Sequence, residues 1–337
     1  MAGAPISTAP PGVDRREVIL RGIDPATSSG LEIGPSLNPI VPKSGGTRIE
    51  SVDHTDADSL RAKYGPHIGV DISHIEDVDH IWAGGRLREA LPDDAAFDYV
   101  IASHVLEHLP NPIAFLQDCS RLLRAGGTLA LALPDHRFCF DHLRPPTTFG
   151  QWVDAYEGDR KLHTPGTVVD HLLHATQRNG AIAWDAANMA PLGFVHDYPE
   201  SISALAQARA QAGYLDVHAW VFNPHSFAAL VEMARRFELV DLELVDLVDT
   251  VGSEFFATFR RPRCTGDQPA SATETADDEA ARLARLSSSR STERAPDAVD
   301  RAALPRPLAL RAYRQARRVA GHVRRAAGRA RRRLSAR

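Results

Sequence analysis

The sequence predicts an α/β protein built on a doubly wound, mostly parallel sheet, and three observations carry that prediction. Short apolar runs alternate with stretches of helical periodicity between residues 30 and 133, the pattern of strands joined by crossover helices. Most of these runs end in a turn or in polar residues, at the edge where open parallel sheets place their ligands. From residue 223 onward the chain closes with one helix and two strands across a short turn, which reads as a terminal antiparallel pair.

Taken in order, Gly30-Leu31-Glu32-Ile33-Gly34 is a short apolar run ending in a turn, and residues 47–53 form a second strand. A helix fragment follows at Leu60–Tyr64, then a third strand at Val78–Trp82 and a fourth at Phe97–Ser103. In the next helix Ile113, Leu116, Cys119 and Leu122/Leu123 share one face, and the Gly126-Gly127 pair is expected to stop it. Thr128–Leu133 is a continuous apolar strand that leads into Pro134-Asp135. Asn223-Pro224 starts a helix from about His225 to Phe237, before strands at Glu238–Leu247 and Glu254–Arg261. Between them, residues 141–216 are His-rich and mostly helical, too long for a plain connection and therefore expected to carry function.

The flanks differ in kind. Residues 1–16 are rich in Pro, Ala and Gly and read as a flexible leader, ahead of a folded body over 17–262. Residues 263–305 have few large apolar groups and read as a disordered linker. Residues 306–337 are a basic helical tail with a thin, mostly alanine seam. Thirteen of the 39 basic residues lie in 301–337, which hold no acid, so residues 1–300 set 26 basic against 43 acidic groups, a net charge of −17. An acidic body with a basic tail points to a separate partner for the tail. No apolar run approaches the roughly 18 residues of a membrane span, and the N-terminal residues show no secretory pattern. Cys119, Cys139 and Cys264 form no close-spaced pair. A reducing, cytoplasmic setting is expected, with the tail reaching the inner membrane surface.

The chemistry-bearing residues cluster after the strands. Gly34 ends the first strand and Asp53 follows the second, a glycine turn and a distant acid such as nucleotide cofactors use. After the fourth strand comes "ASHVLEHLPNP", in which His104-Val-Leu-Glu107-His108 spells H-x-x-E-H, an inverted zinc-protease pattern. That chemistry needs both histidines on one face of a stable helix. Pro110 and Pro112 leave barely one turn here, so the pattern is not a protease site.

Three stretches, "LEIGPSLNP" (31–39), "FDYVIASHVLEHLPNP" (97–112) and "LLRAGGTLALALPD" (122–135), resemble in order and spacing the motifs of class I S-adenosylmethionine (SAM) dependent methyltransferases. The first has one glycine where the family has two or three, and Ala125 replaces a usual Pro. "HAWVFNPHSF" (218–227) is similar to the segment that leads into the family's last strands. The resemblance implies a seven-stranded Rossmann-like sheet with a terminal antiparallel strand and SAM as cofactor. It also implies that Glu32, Gly34, Pro35 and Ser36 line the methionine end, and that Asp53 holds the ribose with His54 beside the adenine. Trp82 and Ala83 would lie near the adenine amino group, and Ser103 and His104 would border the methyl donor. Ubiquinone-pathway O-methyltransferases look similar at Glu107-His108, where a divalent cation is associated with E-x-x-E-H; here His104 replaces the first Glu.

Methyl transfer needs an in-line nucleophile and often a base for its proton. The candidates are His108 and the run 135–141, above all Asp135 and His136, with Arg137 to hold an anionic acceptor. Asp135 and Asp141 serve equally well as turn caps or partners of Arg137. In the insertion, His171 and His174 are three apart beside Asp170, a conceivable metal pair, although surface or capping histidines of an acceptor lid fit the same spacing. Phe149, Trp152, Tyr156, Trp184 and Trp220 suit a sugar-stacking wall or core packing. The acceptor expected is a small molecule or glycan hydroxyl. The tail is expected on an anionic membrane surface or a partner protein ahead of nucleic acid; the alternative readings are a methyltransferase-like binding or scaffold protein without turnover and a nucleic-acid methyltransferase.

Overall fold

The computed structural model describes residues 6–7, 14–66 and 71–263. Strands β1 (Ile6–Ser7), β2 (Ser29–Ile33), β3 (Arg48–Asp53), β4 (His80–Ile81), β5 (Phe97–Ser103), β6 (Leu123–Pro134), β9 (Glu243–Val251) and β10 (Glu254–Arg260) form one sheet in the order β1-β9-β10-β6-β5-β2-β3-β4. Strands β7 (Thr176–Arg178) and β8 (Leu192–Phe194) pair separately and antiparallel. In the large sheet β10 runs antiparallel to both β6 and β9, and the other pairings are parallel. The expected sheet of seven strands is therefore present, extended at one edge by the two residues of β1.

Helices α1 (Arg15–Ile19) and α2 (Ala57–Tyr64) lie in the first half, followed by α3 (Pro112–Leu122), α4 (Phe149–Glu157), α5 (Pro165–His174), α6 (Tyr198–Ala210) and α7 (Pro224–Arg236). Local chemistry explains their limits. The Asn111 side chain accepts from the Ala114 amide and Pro112 opens α3, while Asn223 and Ser226 make a capping box for α7. The two faces of the sheet carry separate apolar clusters. Ile113, Leu116, Leu122, Trp152, Phe222 and Phe227 pack on one face through α3, α4 and α7. Val18 and Ile19 of α1 pack with Tyr99, Ile101 and Phe256 on the other. Gly30 belongs to that second face for a steric reason: a Cβ there would stand 2.0 Å from the Tyr99 ring.

Two expectations need correction. Helix α3 ends at Leu122, before the Gly126-Gly127 pair, and β6 begins at once. The pairing register then slips between Phe97↔Leu123 and Tyr99↔Thr128, and Gly126 (φ +80°) donates to the Arg261 carbonyl, so the glycines shape a bulge. Within the expected leader, residues 6–7 and 14–16 are part of the fold, and its other residues lie outside the described ones: β1 pairs with β9, and the Arg15 guanidinium donates to Glu254 at 2.6 Å and to Ser103 Oγ at 2.5 Å. The segment 141–216 contributes to two apolar clusters. Trp152 and Ala155 of α4 sit in the main core, whereas Val168 of α5, Ala208 of α6 and Val217 form a cluster of their own. The expected linker, from residue 264 on, and the basic tail lie outside the described residues.

Candidate active site

Strand order reverses at β2, which has β3 on one side and β5 on the other, so the ligand crevice of this sheet lies beyond the carboxyl ends of these strands. On the β2–β3 side, Gly34 turns the chain with φ +65°, a conformation that a side chain would strain, and its amide donates to the Val52 carbonyl. Glu32 is buried, and its two oxygens accept from the amides of Ile40 (2.6 Å) and Val41 (3.0 Å), which ties down the loop 34–41. Burial pushes its carboxyl up to about 7 against the pull of those amides. Asp53, also buried, accepts from the amide of Ser36 at 3.1 Å and from the amide and ring of His54 at 2.7 and 2.6 Å. Ser36 has φ +46° and a buried hydroxyl oxygen without a partner. Trp82 lies over Phe115 with ring centroids 6.2 Å apart, and Ala83 is exposed beside it.

The β5–β6 side is built from ion pairs. His104 takes φ +53°, and its ring bridges two carboxylates, Glu254 at 2.9 Å and Glu107 at 3.2 Å. Burial opposes its charge, but those carboxylates win and raise it to about 9. Glu107 is fully buried, and neither of its oxygens has a well-directed hydrogen bond. Despite the burial that opposes ionisation, His104 and its neighbours keep Glu107 below the usual carboxylate range. His108 Nδ1 meets Asp216 Oδ1 at 2.8 Å, and the ring stands edge-on to His218 with centroids 4.5 Å apart. His218 Nδ1 in turn meets Asp141 Oδ2 at 2.5 Å, while Arg144 donates to the other oxygen of Asp141 at 2.6 Å. Burial works against the Asp141 charge, yet His218 and Arg144 hold it far below the ordinary range. Beneath this layer, Asp135 caps the turn 136–138 and accepts from Arg137 and Thr250. His136 is buried, neither ring nitrogen has a hydrogen-bond partner, and burial lowers it to about 4, so the ring is neutral.

Strand ends thus bring together Gly34, Pro35, Ser36, Asp53, His54, Trp82, Ser103, His104 and His108 along one edge. The carboxylates of Glu32 and Asp135 are already engaged by backbone amides and by Arg137 and Thr250 respectively. His171 accepts from the His218 amide and His174 pairs with Asp170, so these two histidines point to different partners. Trp152 and Trp220 are buried, Arg178 covers the Trp184 ring, and the Tyr156 hydroxyl accepts from Gln117; core packing describes these aromatics better than a stacking wall. Sequence reasoning missed His218, Asp216, Glu254 and Arg15. Only His218 had a signal, as the first residue of the "HAWVFNPHSF" stretch.

A sheet of this order, with a glycine turn and a post-strand acid at its switch point, is that of an enzyme for a nucleotide-bearing cofactor. A family model described as a methyltransferase domain matches residues 19–241, more than half of the chain. A probable S-adenosylmethionine-dependent methyltransferase of Mycolicibacterium smegmatis is 31% identical over 144 residues, 41% of this chain and 51% of that protein. The ubiquinone biosynthesis O-methyltransferase of Maricaulis maris is 48% identical over 40 residues, 12% of this chain and 16% of that protein. The chain thus spans about half or less of these curated relatives. Among solved structures, a SAM-dependent methyltransferase from Aquifex aeolicus aligns at a TM-score of 0.37 and 11% identity, covering 73% of this chain and 89% of that one. The CcbJ methyltransferase from Streptomyces caelestis aligns at 0.34 and 16%, covering 75% and 97%. The chain belongs to the class I SAM-dependent methyltransferases.

The residues present fit that cofactor. The Gly34 turn, the partnerless Ser36 hydroxyl and the buried Asp53 carboxylate stand where a methionine moiety and a ribose would be held. When bound, SAM supplies an electrophilic methyl group on a sulfonium. Among the described residues, no helix is long and apolar enough to cross a membrane.

Proposed function

We propose that this methyltransferase acts on a hydroxyl oxygen of a small-molecule or glycan acceptor. A hydroxyl, unlike a neutral amine, must shed its proton as the new bond forms, so it needs a base in reach. One observation carries the reading: His108 and His218 meet edge to face beside the post-β5 loop, each with Nδ1 held by a carboxylate. That arrangement fixes each ring so that Nε2 faces away from its carboxylate, the atom that would accept or orient the proton. Methylation of glycan or secondary-metabolite hydroxyls fits both this pairing and the motif resemblance.

Two measurements test the proposal. Calorimetry with S-adenosylhomocysteine is expected to show one site per chain; no measurable binding would support a scaffold role instead. Turnover on a panel of sugar and phenol hydroxyls and of amines is expected to favour hydroxyls, with a loss of about 100-fold on His218→Ala. Amine acceptors turning over equally in both proteins would remove the hydroxyl assignment.

A further inference from the structure

We propose that the cleft between α4 and α5 is a binding site for a neutral, hydroxyl-rich saccharide, and that it holds the part of a glycan acceptor that is not methylated. The site stands on the cleft's own residues; only its assignment to the acceptor rests on the hydroxyl-methylation reading above.

The cleft has a volume of about 600 Å³, within the range of small-molecule sites. Its walls are α4 with the turn after it, the N-terminal half of α5, and residues 144–148 and 219–221. Thr147 ties two of these walls together. Its amide donates to the Val221 carbonyl at 2.9 Å, and its hydroxyl accepts from the Val221 amide at 2.8 Å.

Arg160 is the group that most needs a ligand. Asp159 takes φ +42°, so the chain doubles back after α4 and the Arg160 amide closes on the Ala155 carbonyl at 3.0 Å. The guanidinium lines the cleft half-buried, and among the described residues it makes no hydrogen bond or ion pair. Burial pulls its pKa down from the usual arginine value, opposed only by the charge of Asp154. Guanidinium donors partly withdrawn from water and left unpaired are costly until an acceptor meets them. Gln151 and Asp154, on one face of α4, add a donor and an acceptor. The Thr148 amide and hydroxyl occupy Gln151 Oε1 at 2.8 and 3.1 Å, which leaves its NH2 group for the cleft.

This mixture decides the ligand class. Arg144 and Asp170 also line the cleft, as an ion pair at 3.3 Å. The guanidinium and carboxylate charges therefore balance, and neither an anion nor a cation is favoured. A sugar hydroxyl both donates and accepts, and carboxylate, amide, guanidinium and threonine groups side by side meet it in both roles. Pro145 and Pro146 give an apolar strip for the C–H face of a ring, beside the core residues Trp220 and Val221.

The cleft also borders the reacting edge. Arg144 donates to Asp141 at 2.6 Å and Asp141 meets the His218 ring at 2.5 Å, so two contacts link the cleft wall to the histidine pair. The Trp220 indole donates to the Leu109 carbonyl of the post-β5 loop at 2.6 Å. A glycan seated in the cleft thus has its next units within reach of that loop.

The experiment uses the full chain and saturation-transfer NMR with neutral oligosaccharides of gluco, galacto, manno and rhamno type, with glucose phosphate and glucosamine as charged controls. Expected is binding of at least one neutral oligosaccharide above both controls. Arg160→Ala and Asp154→Ala should each weaken it about 10-fold, as for one hydrogen bond to a charged group. Affinity for S-adenosylhomocysteine should stay at the parent's value in both. Asp154→Ala alters an exposed side chain and so tests the site without a cost in stability. With that oligosaccharide as methyl acceptor, Arg160→Ala should raise KM about 10-fold at unchanged kcat, the mark of binding remote from the reacting atoms. Binding of none of the neutral sugars, tighter binding of either control, or affinity unchanged in both variants overturns the site. Saccharide binding that both variants weaken, without turnover of any hydroxyl, would keep the site and sink the hydroxyl reading. Hydroxyl turnover whose KM neither variant moves would do the reverse.

Discussion

The two halves of the ligand edge hold their carboxylates in opposite ways. On the β2–β3 side, Glu32 and Asp53 are held chiefly by backbone amides, from residues 8, 9, 17 and 1 positions away. On the β5–β6 side, Asp141, Asp216 and Glu254 are held by side chains, by histidines 77, 108 and 150 positions away and, for Asp141, by Arg144 as well. Backbone-held groups are fixed as soon as the local turn forms, which suits recognition of an invariant cofactor. Side-chain-held groups carry charge that can be rearranged by a ligand, a proton or an ion, which suits the reacting edge.

The largest break in this comparison is expected at Asp141. Its carboxylate is the counter-ion of the buried Arg144 and the orienter of His218. Asp141→Asn leaves Arg144 with the Asp170 carboxylate at 3.3 Å and the neutral His218 carbonyl at 2.9 Å. Removing one partner of a buried pair costs about 3–5 kcal/mol, and a fold of this size loses about 2–4 °C of midpoint per kcal/mol. Thermal unfolding should show a fall of roughly 10 °C; a fall under about 2 °C would mean the cluster is not a structural unit.

A second effect contrasts one buried acid with one buried base. Glu32 holds its proton to about pH 7 in the folded chain against 4.5 for an ordinary glutamate, so its contribution is full below 4.5 and is lost as pH rises through 7. His136 gives up its proton near pH 4 when folded against an ordinary 6.5, so its contribution is full above 6.5 and is lost as pH falls through 4. Each shift corresponds to about 3 kcal/mol at full development. Denaturant melts from pH 4 to 8 should therefore show Glu32→Gln flattening the alkaline limb and His136→Phe the acid limb. Curves parallel to the parent would show that neither group is desolvated as the packing implies.

The same contrast explains what the sequence made legible. β5, helix α3 and the β9–β10 pair follow from apolar periodicity and from caps such as Asn111-Pro112, all within a few residues of one another. Gly34 and Asp53 are legible because a strand end is a local feature. His218 meeting His108, and Arg15 meeting Glu254, depend on which loops the sheet order brings side by side, and no local pattern encodes that. Helix α3 ended early for a related reason: the register between β5 and β6 is set by partner strands, so Gly126-Gly127 served a bulge and left the helix stop to Leu122.

The smallest effects separate Asp53 from its neighbour. Asp53 is the buried acceptor at the end of β3, and a charged acceptor to cofactor hydroxyls contributes about 1.5–3 kcal/mol. Asp53→Ala should weaken S-adenosylhomocysteine binding by roughly 10- to 100-fold. His54 is exposed, and its ring reaches Asp53 at 2.6 Å while Lys63 stands 3.3 Å from its far nitrogen. Removing that ring leaves the amides of Ser36 and His54 on the carboxylate, because both belong to the backbone. His54→Ala should then cost no more than about 1 kcal/mol, a few-fold in affinity by calorimetry. A loss as large as that of Asp53→Ala would show that the ring, and not the backbone, presents the carboxylate, and the contrast between the two halves of the edge would fail at its backbone-held end.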